Sequence, residues 1–101
     1  MFRMETVSGG ETILIAEGEI TEESTEEFGA RLDALFAGRA TMVTLDLSRV
    51  PAMGSRAIGK LLLLKKRLGE QGRRLRVQGC SDSLLSVFRM IKLDTVLPIQ
   101  K

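Results

Sequence analysis

The chain contains no histidine, tryptophan or tyrosine, only one cysteine and two prolines, and four phenylalanines as its whole aromatic content. Each shortage excludes a class of chemistry. Without histidine no imidazole can act as general base or metal ligand, so a Ser-His-Asp triad, a Cys-His dyad and a Cys/His zinc site are ruled out within this chain. Cys80 has no internal disulfide partner, which predicts a free thiol and a reducing, cytoplasmic setting. So few rings offer little stacking surface for single-stranded nucleic acid. The purely apolar runs are short, such as the leucine tract at 61–64, far short of the about 20 residues of a membrane span. The opening MFRMETVSGGE lacks the basic-then-apolar order of a secretory signal. Neither GxGxxG nor GxxxxGK[ST] occurs, so the common phosphate-cradling loops are missing. No metal, no cofactor and no catalytic residue is expected, and the chain reads as a non-enzyme.

What remains is a chain of 101 residues with 44% hydrophobic content. That length has room for one core, burying about 60–65% of the surface of the unfolded chain, and predicts a single domain over 1–101. The net charge is +2, but it is unevenly spread. Residues 1–50 carry 4 Lys/Arg against 10 Asp/Glu, a net −6, and residues 51–101 carry 11 against 3, a net +8. Two readings follow: solvated faces of opposite sign, or a basic patch that meets an acidic partner. DNA binding asks for a denser basic surface and a recognition motif, and neither is evident.

FRMETV and TILIAEG read as two strands joined by SGGE, where Gly9-Gly10 suits the positive φ of a tight hairpin. ITEESTEEFGARLDALFAG follows as a helix, with Ser24 and Glu27 as a capping box or Thr21 as an alternative N-cap. Its apolar face is Phe28, Leu32, Leu35 and Phe36, its acidic start suits the helix dipole, and Gly38 is a plausible stop. MVTLDL is the next strand, with Val43, Leu45 and Leu47 on one face. A second helix runs from about Ser55 to Gly69, and RLRVQG is a fourth strand. SDSLLSVFRMIKL is a third helix with Ser81 as N-cap and Leu84, Leu85, Phe88 and Ile91 inward. TVLPI reads as a short final strand, confined to an edge or a strand end by Pro98. The order β-β-α-β-α-β-α-β predicts an α/β fold, a mixed sheet of four or five strands with helices near 21–37, 55–69 and 82–92 packed against it.

At about 100° per residue the second helix places Ala57, Ile58, Leu61, Leu64 and Leu68 on one side, with Leu62 at the margin. Arg56, Lys60, Leu63 and Arg67 fall on the other side, and Lys65 near the apolar face runs its stem along it to water. Leu63 is either an ordinary exposed leucine or part of a partner-binding surface. Ser55, at the helix start, reads as an N-cap. The same position tolerates a phosphate, because a helix N-terminus favours anions.

The stretch LDLS at 45–48 followed by GSRAIG at 54–59 resembles the STAS domain family, named for sulfate transporters and anti-sigma factor antagonists. EGEI, GRRLRVQGCS and LDTVLPI resemble further family segments, and the resemblance covers nearly the whole chain. It implies an anti-sigma factor antagonist: a cytoplasmic regulator that binds an anti-sigma factor, often a serine kinase, and thereby controls sigma factor release. The family's motif reads DSSGLG. On that pattern Ser55 takes the place of the phosphoacceptor serine, Gly54 that of the aspartate, Arg56 that of the second serine and Ala57 that of the glycine. The resemblance implies a partner surface including Gly54, Ser55 and Arg56, and the helix adds Lys60, Leu63 and Arg67. The altered motif keeps a second reading open, a STAS scaffold or accessory subunit of a signalling or transporter assembly that binds without being phosphorylated. Neither reading implies nucleic acid or direct membrane insertion.

Overall fold

The computed structural model describes residues 2–7 and 10–100. Its elements are β1 (Phe2–Val7), β2 (Glu11–Glu17), α1 (Thr25–Ala37), β3 (Met42–Arg49), α2 (Ser55–Glu70), β4 (Arg74–Gln78) and α3 (Asp82–Met90), then one 3-10 turn at Leu93–Thr95. The sheet has the order β1-β2-β3-β4. The first pair is antiparallel and the other two are parallel. Gly10 takes φ +81° in the β1–β2 connection, whereas its expected turn partner Gly9 lies outside the described residues.

Consecutive parallel strands need crossovers of one hand, which puts α1 and α2 side by side on one face of the sheet. Beneath them the strands turn Leu14, Ala16, Val43, Leu45, Leu47, Leu75 and Val77 inward, all buried. The helices answer with Phe28, Leu32 and Leu35 from α1 and Ala57, Ile58, Leu61, Leu64 and Leu68 from α2, again all buried. Phe36 is only half-buried, and Arg67 lies over its ring at 3.9 Å. Ser81 caps α3 as expected, its Oγ accepting from the Leu84 N–H at 3.3 Å and donating to the Val50 carbonyl at 3.2 Å.

The opposite face of the sheet carries a polar network that the sequence did not suggest. Thr44 is fully buried on β3, and its hydroxyl donates to Glu11 Oε2 at 2.6 Å. Arg76 of β4 completes the triangle, with Nε on Thr44 Oγ1 at 3.1 Å and Nη2 on Glu11 Oε2 at 3.0 Å. The Thr44 hydroxyl and the Arg76 charge hold the Glu11 carboxyl below its ordinary pKa, against a smaller opposing effect of burial.

Three expectations are corrected. TVLPI is not a strand: the 3-10 turn occupies its start, and among the described residues a single bridge, Val77 to Ile99, is all that reaches the sheet. Leu93 and Leu97 anchor this tail in the core, and Pro98 offers no N–H for a ladder. Ile91 is 51% exposed, because α3 stops at Met90 and Lys92 turns left-handed at φ +61°. The capping box at Ser24 and Glu27 does not form. The Ser24 hydroxyl turns back on Thr21, accepting its N–H at 2.9 Å and donating to its carbonyl at 3.3 Å. Thr21 therefore sits in a turn ahead of the helix and is not its N-cap.

Candidate partner-binding site at the start of α2

The loop before α2 is held by the loop before α1. Pairing between β2 and β3 continues past their ends: Gly18 N–H donates to the Arg49 carbonyl (2.9 Å), Ile20 N–H to Ala52 (3.0 Å) and Gly54 N–H to Ile20 (2.9 Å). Gly54 is thereby kept extended at φ −72°, ψ 160°, and becomes the residue from which the helix departs. Its carbonyl accepts the Ile58 N–H at 3.1 Å. Ser55 is consequently the first helical residue and not the N-cap. Its side chain is exposed and makes no hydrogen bond among the described residues. The first turn of α2 has no acidic residue and no side-chain cap, so among the described residues the N–H groups of its first residues have no side-chain acceptor beside the Ser55 hydroxyl.

Acidic groups reach this point from α1 and the turn before it. Arg56 pairs with Glu22 at 3.1 Å and with Glu26 at 3.7 Å. A side chain at position 54 would fit, since a Cβ there would stand 3.7 Å from Glu22 Oε1, an ordinary contact. The Glu22 carboxylate thus occupies the neighbourhood into which a longer residue at 54 would project. Sequence reasoning missed Glu22 because it lies 32 positions from Gly54. The LDLS segment has a local role: Asp46 Oδ1 accepts from the Ser48 N–H at 3.0 Å and from its hydroxyl at 2.7 Å. Gly79, at φ +68°, lies so close to this turn that a Cβ would stand 2.9 Å from Ser48 Cβ.

The row Arg56, Lys60, Leu63 and Arg67 borders α1. Lys60 lays its stem against Gly29, where a Cβ would come within 3.1 Å of Lys60 Cδ. Arg67 pairs with Asp33 at 3.2 Å. With Leu63 these two cations edge a cleft of about 70 Å³ between the helices. Arg56 and Arg67 are thus tied to carboxylates of α1 and of the turn before it, while among the described residues most of the other cations of the second half form no ion pair with the first. The outward ridge of α2 is a different set: Ser55, Gly59, Leu62 and Lys66 recur at helical spacing and are all exposed. Leu62 at 38% and Leu63 at 53% exposure are the large apolar side chains that α2 shows to solvent. Leu62, placed at the margin of the core in the sequence, belongs to this ridge.

Cys80 is buried, and burial pushes its thiol pKa up, away from reactivity. Among the described residues no group of three His, Cys, Asp or Glu could hold a metal ion, and no helix is long and apolar enough to cross a membrane.

A family model described as "Mlab, STAS domain" matches residues 4–99. Comparison with solved structures finds the same fold in an anti-sigma factor antagonist from Mycobacterium paratuberculosis, with 20% identity, 99% of this chain and 84% of that one covered, and a TM-score of 0.89. The phosphorylated form of the Bacillus cell fate determinant SpoIIAA matches with 22% identity, 100% and 92% coverage and a TM-score of 0.76. A sulfate transporter family protein from Wolinella succinogenes matches with 18% identity, 95% and 80% coverage and a TM-score of 0.79. No curated protein sequence matches significantly. Because that family model spans nearly the whole chain, the protein belongs to the STAS domain family.

Proposed function

We propose that this chain is a cytoplasmic, non-enzymatic regulator that presents the start of α2 to a protein partner, an anti-sigma factor with serine kinase activity, and so controls sigma factor release. The observation that carries this reading is the state of Ser55: exposed, first in its helix and free of any hydrogen-bonding duty among the described residues. A hydroxyl so placed can be covered by a partner or modified without breaking the fold. Gly54, Ser55, Gly59, Leu62 and Leu63 form the contact, small residues at the helix start and leucines farther along. Glu22 and Arg56 flank it as a ready ion pair. The Glu22 carboxylate stands in for the one that the family motif carries at the position of Gly54.

Ser55 is the proposed switch. The kinase partner transfers the γ-phosphoryl of its ATP to Ser55 Oγ, the hydroxyl proton passes to a base on the kinase, and ADP leaves. The phosphate then sits at an uncapped helix N-terminus, where it is stabilised, with Arg56 in reach to re-pair from Glu22 and Glu26. The same charge at the centre of a protein contact is unfavourable unless the partner pairs it. The accessory-subunit reading draws on one specific observation, Gly54 and Arg56 in place of the family's aspartate and second serine; there the ridge binds a transporter or signalling assembly with Ser55 unmodified. Affinity capture with the full chain, followed by mass spectrometry of the captured protein and of the Ser55 peptide, separates the two. A captured ATP-binding kinase together with phosphorylated Ser55 supports the switch; a transporter subunit and unmodified Ser55 support the accessory role.

A further inference from the structure

The two edges of the sheet are treated differently. At β4 the tail crosses the edge, with Val77 N–H donating to the Pro98 carbonyl (2.9 Å) and Gln100 N–H to the Val77 carbonyl (2.8 Å). At β1 nothing among the described residues pairs with the outer side; the strand bonds to β2 alone, in unbroken register from Phe2 to Val7. A regular, uncovered edge of this length is a template for another strand. FRMETV contains no proline and its pairing contains no bulge, so the charges of Arg3 and Glu5 are what select the strand this edge can accept.

The side chains of β1 say which strand would fit. Arg3 and Glu5 project from one face, 63% and 52% exposed, with Nε and Oε1 3.4 Å apart. Phe2 and Met4 project from the other, the helix-covered face. Phe2 packs on Phe28, ring centroids 5.7 Å apart. Met4 is 38% exposed at the mouth of an open cleft of about 460 Å³ beside Ala34, Leu35 and Gly38 of α1.

We propose that β1 pairs antiparallel with β1 of a second copy of this chain, about a two-fold axis at Met4, joining two sheets into one of eight strands. Residues opposite one another in a sheet share a face, which limits the registers. An axis at Arg3 sets arginine against arginine, and an axis at Glu5 sets glutamate against glutamate. An axis at Met4 sets Arg3 of each copy opposite Glu5 of the other, twice, and brings the two Met4 side chains together over the two clefts. The strand is self-complementary in that register alone. A ribbon of five residues from each copy buries less than the about 1,200 Å² of a stable interface, so the association is weak and rises with concentration. It uses none of the residues of the α2 ridge.

Sedimentation equilibrium of the full chain from about 10 μM to about 1 mM, the range suited to a small interface, tests this. Wild type is expected to show a reversible monomer–dimer equilibrium. Arg3→Glu and Glu5→Arg each create two like-charge contacts and should weaken the dimer by about tenfold or more. An equimolar mixture of the two variants restores both pairs and should return association to within about threefold of wild type, as should the double variant. Both positions are exposed, and circular dichroism at each concentration confirms that the variants fold. A wild type that stays monomeric to about 1 mM overturns the proposal. So do a dimer insensitive to the single substitutions and a mixture that fails to recover.

Discussion

Two serines stand at the starts of two helices, and the structure assigns them opposite energetic roles. Ser81 caps α3, with its Oγ bonded to the Leu84 N–H and the Val50 carbonyl. Ser55 opens α2 without a bond from its hydroxyl. Replacing Ser81 by alanine removes a cap and strands a partly covered carbonyl, a loss of about 1–2 kcal/mol. In a domain of this size that lowers the melting temperature by about 4–8 °C per kcal/mol. Replacing Ser55 by alanine removes nothing and substitutes a better helix former, so stability should change by less than about 0.5 kcal/mol. Ser55→Asp adds an anion to an N-terminus whose first turn has none, worth about 0.3–1 kcal/mol. The gain should fall at the lower end, because Glu22 and Glu26 already place carboxylates around Arg56. Urea unfolding followed by circular dichroism of the three variants provides the comparison. A loss of about 1 kcal/mol or more for Ser55→Ala would show that the hydroxyl caps α2 after all and is not free for another use.

Leu62→Glu and Leu63→Glu, both on exposed positions, should each leave stability within about 0.5 kcal/mol and weaken capture of the partner; unfolding curves and affinity capture report the two effects separately. Arg73 closes the C-terminal end of α1, donating to the carbonyls of Ala40 (2.7 Å), Phe36 (2.8 Å) and Leu35 (3.1 Å). Arg73→Ala should therefore cost about 2–4 kcal/mol in urea unfolding, and a loss below about 0.5 kcal/mol would contradict that role. Glu11 has its folded pKa depressed by Thr44 and Arg76, so its contribution is full above its unfolded pKa and fades as pH falls through the folded one. The stability gap between wild type and Glu11→Gln should accordingly narrow on going from about pH 7 to about pH 3, and a gap that does not vary with pH would oppose the assignment.

The strongly periodic parts of the sequence predicted their own placement. The buried stripe of α2 matches residue for residue, because five apolar positions at helical spacing leave one phase open. Val43, Leu45 and Leu47 likewise lie together inward on β3. What the sequence concealed depends on contacts between distant segments. The helix start falls after Gly54 because Ile20, far back in the chain, accepts the Gly54 N–H; nothing local distinguishes a Ser55 that caps from one that begins the helix. Ile91 continued an apolar pattern that α3 abandons one residue earlier. The opposite charges of the two halves suggested separate faces or a basic patch. Three pairs nonetheless join the halves, Arg56 on Glu22, Arg67 on Asp33 and Arg76 on Glu11, because crossovers set α1 beside α2 and β4 two strands from β2.

The central claim is that the start of α2 is a partner contact switched at Ser55. Titration of the captured partner with unmodified chain and with chain carrying phosphoserine at position 55 tests it most directly. A phosphate adds about −1.5 to −2 charges to the contact, so affinity should fall by well over tenfold, about 1.4 kcal/mol or more, while the melting temperature of the modified chain does not fall. Equal affinity of the two forms would contradict the switch and leave Ser55 as an exposed residue of a constitutive binding surface.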